Sequence, residues 1–227
     1  MENKVVNINT VALVAKGLQE LLPKMVFVGG AVISLYTDDP ATDEVRPTSD
    51  VDLTIQLVGF AEWTKIQNRL AELKFNPDRQ GHAICSYLYK SISVDIMPAE
   101  NGPLGPSNSW YKPGFASLQK VFVGNQVIRI LSSPYFLASK FEAFNTRGGD
   151  PRSSYDFEDI IHVLENRMGI VEEIRNADEM VRSFLKEEFR KIVNDPYSNE
   201  IIGAQIHPTR INEQLPLIMD KIIQILS

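Results

Sequence analysis

The 227-residue chain has the composition of a globular protein, with 44% apolar and 23% charged residues. Its formal net charge of −6 argues against a protein that binds nucleic acid over its whole surface, although it is compatible with a local basic patch. The sequence shows no apolar run of membrane-spanning length, no secretory signal and one cysteine, Cys85. We therefore expect a cytoplasmic protein without a membrane partner.

The first part of the chain alternates helical and strand patterns. A helix is predicted over 8–22, closed by Pro23, and a short strand at Met25–Val28 leads into Gly29–Gly30 and a helix start. The later predicted elements are a polar loop at 37–48, a strand at Asp50–Leu57, a helix at Phe60–Leu73, strands at Ala83–Tyr89 and Ser93–Met97, an irregular loop at 99–117, and a hairpin from Val121 to Ile130 around Gly124–Asn125.

From Ser132 onward the pattern becomes helical. Ser133–Pro134 has the features of an N-cap followed by a proline in the first turn, and Ser153 or Ser154 caps a second helix that runs to about Asn166. Further helices are predicted over 170–194 and 211–226. We expect an α/β domain at residues 1–131 and a helical domain at 132–227 packed on it.

Three carboxylates stand on predicted strands. Asp50 and Asp52 are at i and i+2 and so point to one face, and Asp95 on a neighbouring strand would complete a cluster. Such a cluster repels itself unless a divalent cation neutralises it, and oxygen-only ligands suit Mg²⁺. The alternatives are a solvated pair at a strand end and, for Asp95, an edge-strand charge that prevents aggregation.

The glycine pair Gly29–Gly30 also has two interpretations. It is either a turn that needs positive φ or a place where backbone N–H groups approach a phosphate without a Cβ in the way. Ser49, directly before the acids, supplies a hydroxyl beside the carboxylates.

Taken in order, Gly29–Gly30, Ser49-Asp50-Val51-Asp52 and Asp95 resemble the motif of the nucleotidyltransferase superfamily of the DNA polymerase β type. The resemblance implies an α+β fold, with a mixed-sheet nucleotidyltransferase core followed by a helical C-terminal half. It also implies that the three acids bind metal, that Asp95 can act as base toward the acceptor hydroxyl, and that the glycines and Ser49 hold a triphosphate. The gap from Gly30 to Asp50 is longer than is common there, which indicates an inserted loop at 37–48.

The helical part resembles the AbiEii/MenA toxin-like nucleotidyltransferases. The matching residues are Ser133-Pro134-Tyr135-Phe136-Leu137-Ala138-Ser139-Lys140, then Arg147, Arg152, Asp156 and Asp159, together with Arg46 ahead of Ser49 and Asp52. The resemblance implies that Lys140 binds the triphosphate and that Asp156 or Asp159 assists, with Arg46 placed in the substrate-binding set. Lys140 is otherwise a solvated lysine, and Asp156 a first-turn acid that shares its helix face with Asp159.

We therefore predict an enzyme that uses two Mg²⁺ ions to move a nucleoside monophosphate from an NTP to a hydroxyl or phosphate. A tRNA or protein acceptor, and a toxin role with a cognate antitoxin, follow from the toxin-like resemblance. The alternatives are a non-catalytic nucleotide-binding regulatory module and a small-molecule (antibiotic) adenylyltransferase. A basic surface would favour an RNA acceptor and an acidic cleft a cationic drug. Trp110 and Tyr111 either stack on a base or anchor a packed loop.

Overall fold

The computed structural model describes residues 2–38, 45–57, 59–78, 85–102 and 107–227, with side chains from Asn7 onward. The predicted loops at 37–48 and 99–117 and the predicted strand at Ala83–Tyr89 lie partly outside these residues. The chain forms two compact units, Met1–Leu35 with Asp43–Ser132, and Tyr36–Thr42 with Ser133–Ser227. The second unit is therefore not continuous in sequence.

The first unit contains a mixed sheet. Its strands within the described residues are β1 (Met25–Val28), β2 (Asp50–Ile55), β3 (Asn76–Pro77), β4 (Ser86–Tyr89), β5 (Ile92–Pro98), β6 (Gln119–Val123) and β7 (Gln126–Ile130). They are ordered β3-β4-β5-β2-β1-β7-β6. The pairs β1–β7 and β2–β5 are parallel, and the other neighbouring pairs are antiparallel. The predicted hairpin is present, with a turn whose Gly124 has a φ of 57°.

The helices of the first unit are α1 (Glu2–Leu18), α2 (Phe60–Glu72) and α3 (Tyr111–Gly114), with 3₁₀ helices at Gln19–Lys24 and Phe115–Ser117. The α2 helix buries Trp63, Ile66 and Leu70, which recur at helical spacing. The helix start expected after the glycine pair is instead a seven-residue 3₁₀ helix, Gly30–Tyr36. Trp110 and Tyr111 are both buried, so these rings are packed within the fold.

Alternation along β2 separates an apolar face from a polar one. Val51, Leu53 and Ile55 are fully buried on one face, whereas Asp50 and Asp52 on the other are half-buried. This period of two is the expected pattern for a strand with one face in the core. Asp50 and Asp52 therefore lie on the face of β2 opposite its apolar core residues and are only half-buried.

The second unit is helical. Its elements are α4 (Ser133–Arg147), a 3₁₀ helix at Pro151–Ser153, α5 (Tyr155–Asn166), α6 (Ile170–Arg175), α7 (Glu179–Asn194), α8 (Ser198–Gly203) and α9 (Ile211–Leu226). In its core the rings of Phe141 and Phe189 meet edge to face at 5.2 Å. Ser133 lies inside α4, and its buried Oγ makes no hydrogen bond with the described residues, so the predicted N-cap at Ser133 is wrong.

The short segment from Tyr36 is tied to the helices of this unit. The Tyr36 ring stacks on Phe136 with a centroid distance of 4.1 Å. The Asp38 amide donates to the carbonyl of Asn166 at 3.1 Å, and Arg167 Nη1 donates to the carbonyl of Tyr36 at 3.1 Å. These contacts fix a piece of early sequence beside the C-terminal end of α5.

The α+β fold with a helical C-terminal half, predicted from the sequence, is confirmed. In the part of the chain that the structure describes, no helix combines the length and the hydropathy that crossing a membrane requires.

The N-cap of α5 gives a test of the local structure. Ser154 Oγ accepts the Phe157 amide at 3.3 Å, whereas Ser153 Oγ donates to the Asp150 carbonyl at an exposed position. We expect Ser154→Ala to lower the free energy of unfolding by about 1 kcal/mol, because one N-terminal amide of α5 loses its acceptor. Ser153→Ala is the matched control, with an effect within about 0.5 kcal/mol. Urea denaturation would measure both, and equal losses would contradict the assignment of the cap.

Candidate metal centre

Three carboxylates meet on the polar face of the sheet. In the parallel register of β2 and β5, Asp52 is the direct partner of Asp95, and Asp50 is the partner of Ser93. Side chains of such partners point to the same face, as do those of Asp50 and Asp52 along β2. One carboxylate oxygen from each acid lies within 4.8 Å of those of the other two, and all three residues are half-buried. The structure thus brings the predicted acids together.

This donor set fits a hard divalent cation. It consists only of carboxylate oxygens, which are the ligands that Mg²⁺ prefers. Asp95 Oδ1 is buried and makes no hydrogen bond with the residues that the structure describes. A buried carboxylate oxygen without a donor is costly, and a bound cation would satisfy it. Asp50, Asp52 and Asp95 are therefore the residues that could hold a metal ion.

The neighbouring carboxylate of Asp52 leaves no room for a side chain at Gly29. The φ of Gly29 is +72°, a conformation in which residues with a Cβ are strained. Val28 pairs with Asp52 across β1 and β2, so the next residue turns away directly over that side chain. A Cβ added to Gly29 would overlap Oδ2 of Asp52 and lie 2.9 Å from its Cβ. Gly29 is thus required by the turn and also by the space that Asp52 occupies.

The segment that leads into β2 is held by a residue that the sequence analysis missed. The buried Asn7 of α1 donates through Nδ2 to the carbonyl of Arg46 at 3.0 Å, and its Oδ1 accepts the Thr48 amide at 3.2 Å. Ser49, the next residue, is exposed. The signal available in the sequence was an amide on the same α1 face as the buried Val11 and Val14.

Lys140 lies in the second unit within a buried ion-pair cluster. Its side chain is 8% exposed, and its Nζ lies 2.6 Å from Asp159 Oδ2 and 3.2 Å from Asp156 Oδ1. Arg147 Nη1 lies 2.5 Å from the other oxygen of Asp156. Burial disfavours the charged ammonium, but attraction to Asp159 and Asp156 outweighs burial and raises the pKa of Lys140. Lys140 is therefore charged and paired inside its own unit.

The predicted site residues fall into two sets. The first unit holds Gly29, Gly30, Arg46, Ser49, Asp50, Asp52 and Asp95, and the second holds Lys140, Asp156 and Asp159. Gly30 is buried at the start of its 3₁₀ helix, and the Arg46 side chain is half-buried.

No family model and no curated protein matches the sequence. Among solved structures, an antigenic nucleotidyltransferase-like protein from Paracoccidioides brasiliensis is 19% identical, with a TM-score of 0.51 over 90% of this chain and 95% of that one. JHP933 from Helicobacter pylori is 12% identical, with a TM-score of 0.47 over 100% and 93%. At 19% identity, the first likeness shows the fold. The chain thus has a nucleotidyltransferase-like fold with an acidic triad that could hold a metal ion.

Gly29→Ala tests the packing of the glycine against Asp52. We expect the added Cβ to displace the carboxylate and weaken Mg²⁺ binding by roughly 10–100-fold, the usual cost of a disturbed ligand support. Gly124→Ala is the matched control, because Gly124 also has positive φ but its Cβ would meet only Ala12, at 3.7 Å. Titration calorimetry would measure the affinities. Equal weakening in both variants would assign the effect to backbone strain and contradict the role of Asp52.

Lys140→Met tests the buried cluster. Removing the cation leaves two carboxylates buried without it, so we expect the free energy of unfolding to fall by about 3–5 kcal/mol. Lys112→Met, which removes an exposed partner of Glu100, should cost at most about 1 kcal/mol. Adding Asp156→Asn and Asp159→Asn to Lys140→Met should restore part of the loss. Denaturation curves would decide, and a loss no larger than that of the control would contradict the energetic role of the cluster.

Proposed function

We propose that the protein is a metal-dependent nucleotidyltransferase that moves a nucleoside monophosphate from an NTP to an acceptor hydroxyl or phosphate and releases pyrophosphate. The proposal rests chiefly on the three convergent carboxylates of β2 and β5. Two further observations support it: a glycine with positive φ packs directly against Asp52, and the fold is nucleotidyltransferase-like.

The chemistry follows from what each residue can do. Asp50, Asp52 and Asp95 would hold two Mg²⁺ ions, which supply a lowered pKa at the acceptor oxygen and neutralise charge on the departing pyrophosphate. Asp95 accepts the proton of the acceptor hydroxyl. The acceptor oxygen then forms a bond to the α-phosphorus as the bond from that phosphorus to the bridging oxygen of pyrophosphate breaks in line. Gly29, Gly30 and the hydroxyl of the exposed Ser49 orient the triphosphate.

The role of Lys140 is part of the same proposal. By resemblance to the AbiEii/MenA toxin-like enzymes it would bind the triphosphate, with Asp156 or Asp159 assisting and Arg46 in the same substrate-binding set. In the structure Lys140 is already paired with both acids, so a phosphate would have to replace one of these partners. Weaker NTP binding by folded Lys140→Met protein would support the phosphate role.

The acceptor and the biological role come from the same resemblance. We propose a tRNA or protein acceptor, and the role of a toxin with a cognate antitoxin. Incubation with labelled NTPs, Mg²⁺ and separate pools of RNA, protein and small molecules from cell extract tests this directly. Label in the RNA or protein pool supports the proposal, whereas label only in the small-molecule pool supports an antibiotic-type adenylyltransferase.

Asp95→Asn separates an enzyme from a nucleotide-binding module. Because Asp95 would bind chiefly the metal ion that activates the acceptor, which NTP binding does not need, we expect Mg·NTP affinity to stay within a few fold while kcat falls by roughly 10²–10⁴-fold. Glu100→Gln, an exposed carboxylate just beyond β5, is the control and should change neither quantity. Calorimetric NTP binding and label transfer would be measured on the same preparations.

Two results would overturn this assignment. If Asp95→Asn unfolds while the control does not, Asp95 has a structural role. If the wild type binds Mg·NTP tightly but labels none of the three pools, the non-catalytic binding module is the correct function.

A further inference from the structure

One long stretch of this acidic chain is free of acidic residues. Between Glu100 and Glu142 there is no aspartate or glutamate, although the whole chain carries 29 of them. The same stretch contains four cations, Lys112, Lys120, Arg129 and Lys140. Within the first unit, this stretch includes the β6–β7 hairpin. The hairpin is therefore positively charged, although the chain as a whole is negative.

The hairpin presents an aromatic ring beside its cations. In the antiparallel register Phe122 is the partner of Val127, and Lys120 is the partner of Arg129. The two pairs are two positions apart on each strand, with one residue between them, so all four side chains share one face. Phe122 is 80% exposed and Val127 is 43% exposed. We call these four residues the hairpin patch.

The cations of the hairpin patch are not neutralised within the described part of the chain. No ion pair there involves Lys120 or Arg129, whereas Lys112 is paired with Glu100 at 2.7 Å. Arg129 is half-buried and donates through Nε to the carbonyl of Met25 at 3.4 Å, which holds its side chain against the sheet. Lys120 is exposed.

The hairpin patch and the acidic triad lie on the same face of one sheet. Ile130 pairs with Phe27 in the parallel register of β7 and β1, and Phe27 pairs with Leu53 of β2. The residues one position away, Arg129 on β7 and Asp52 on β2, therefore both point to the opposite face. Two strand spacings separate β7 from β2, about 10 Å across the sheet. Because β1 lies between β7 and β2, the hairpin patch does not include the carboxylate triad.

We propose that the hairpin patch binds single-stranded nucleic acid, and that this strand is the acceptor of the nucleotidyl transfer; the second part rests on the proposed function. An exposed aromatic ring stacks on a base of any identity, and flanking cations contact the phosphates. A hydrophobic protein partner would not need the unpaired cations, and a small cationic acceptor would be repelled by them. The exposed ring and the cations together favour a flexible polyanion that carries flat apolar rings, as single-stranded nucleic acid does.

Binding of a fluorescein-labelled oligonucleotide of about 12 nucleotides, followed by anisotropy without NTP, tests the surface alone. We expect Phe122→Ala to bind about 5–100-fold more weakly because a stacked base is lost. Phe122→Trp should retain binding, and Phe122→Leu should not. Lys120→Ala should reduce the slope of log affinity against log salt by about 0.7. The matched controls are Phe60→Ala, at a site 64% exposed, and Lys65→Ala, both on α2 of the same unit.

The outcomes separate the surface from the reaction. Equal effects in the α2 controls, or full binding by Phe122→Leu, would overturn the hairpin patch as a stacking site. Binding of polyglutamate as tight as that of the oligonucleotide would overturn it in favour of an acidic protein partner. If the oligonucleotide binds through the patch but no label is transferred, the proposed function fails while the surface stands. If RNA is labelled equally by wild type and Phe122→Ala, the hairpin patch does not hold the acceptor, while the proposed function stands.

Discussion

The parallel pairing of β2 with β5 imposes the constraint on which the polar face of the sheet depends. It sets Asp52 directly opposite Asp95, and the strand period adds Asp50 to the same face. Three like charges within 4.8 Å repel one another, and half-burial strengthens that repulsion by lowering the local dielectric constant. The fully buried apolar residues on the other face of β2 hold the strand in register despite this cost. The apolar core thus maintains an arrangement that the repulsion among the three carboxylates opposes.

Two residues outside the triad restrict the position of the Asp52 side chain and of the backbone that leads into β2. Gly29 leaves no gap over Asp52, and Asn7 fixes the backbone at Arg46 and Thr48 just before β2. Neither residue contributes charge to the site. Both act on geometry, the first by lacking a side chain and the second by a two-sided hydrogen bond across a large sequence separation.

The sequence was sufficient for the α+β fold, the hairpin and the three acids, because these follow from local period and turn chemistry. It also predicted a serine cap for α5, but the choice between Ser153 and Ser154 came from the structure. Other features depend on distant contacts that no local pattern reports. Lys140 sits at a helical position that looks like a solvated lysine, yet Asp156 and Asp159 are one helix away in space. Ser133 resembles an N-cap, but α4 already includes it. The exposure of Phe122 also needed the structure, since a strand phenylalanine is usually buried.

The contacts between Tyr36 and the helices have a consequence for how the chain can be divided. Because residues 36–42 group with 133–227, the helical unit depends on a piece of chain encoded before β2. A gene fragment beginning at residue 133 would lack the ring that covers Phe136 and the amide that pairs with the Asn166 carbonyl. The boundary between the two units therefore does not correspond to any single cut in the sequence.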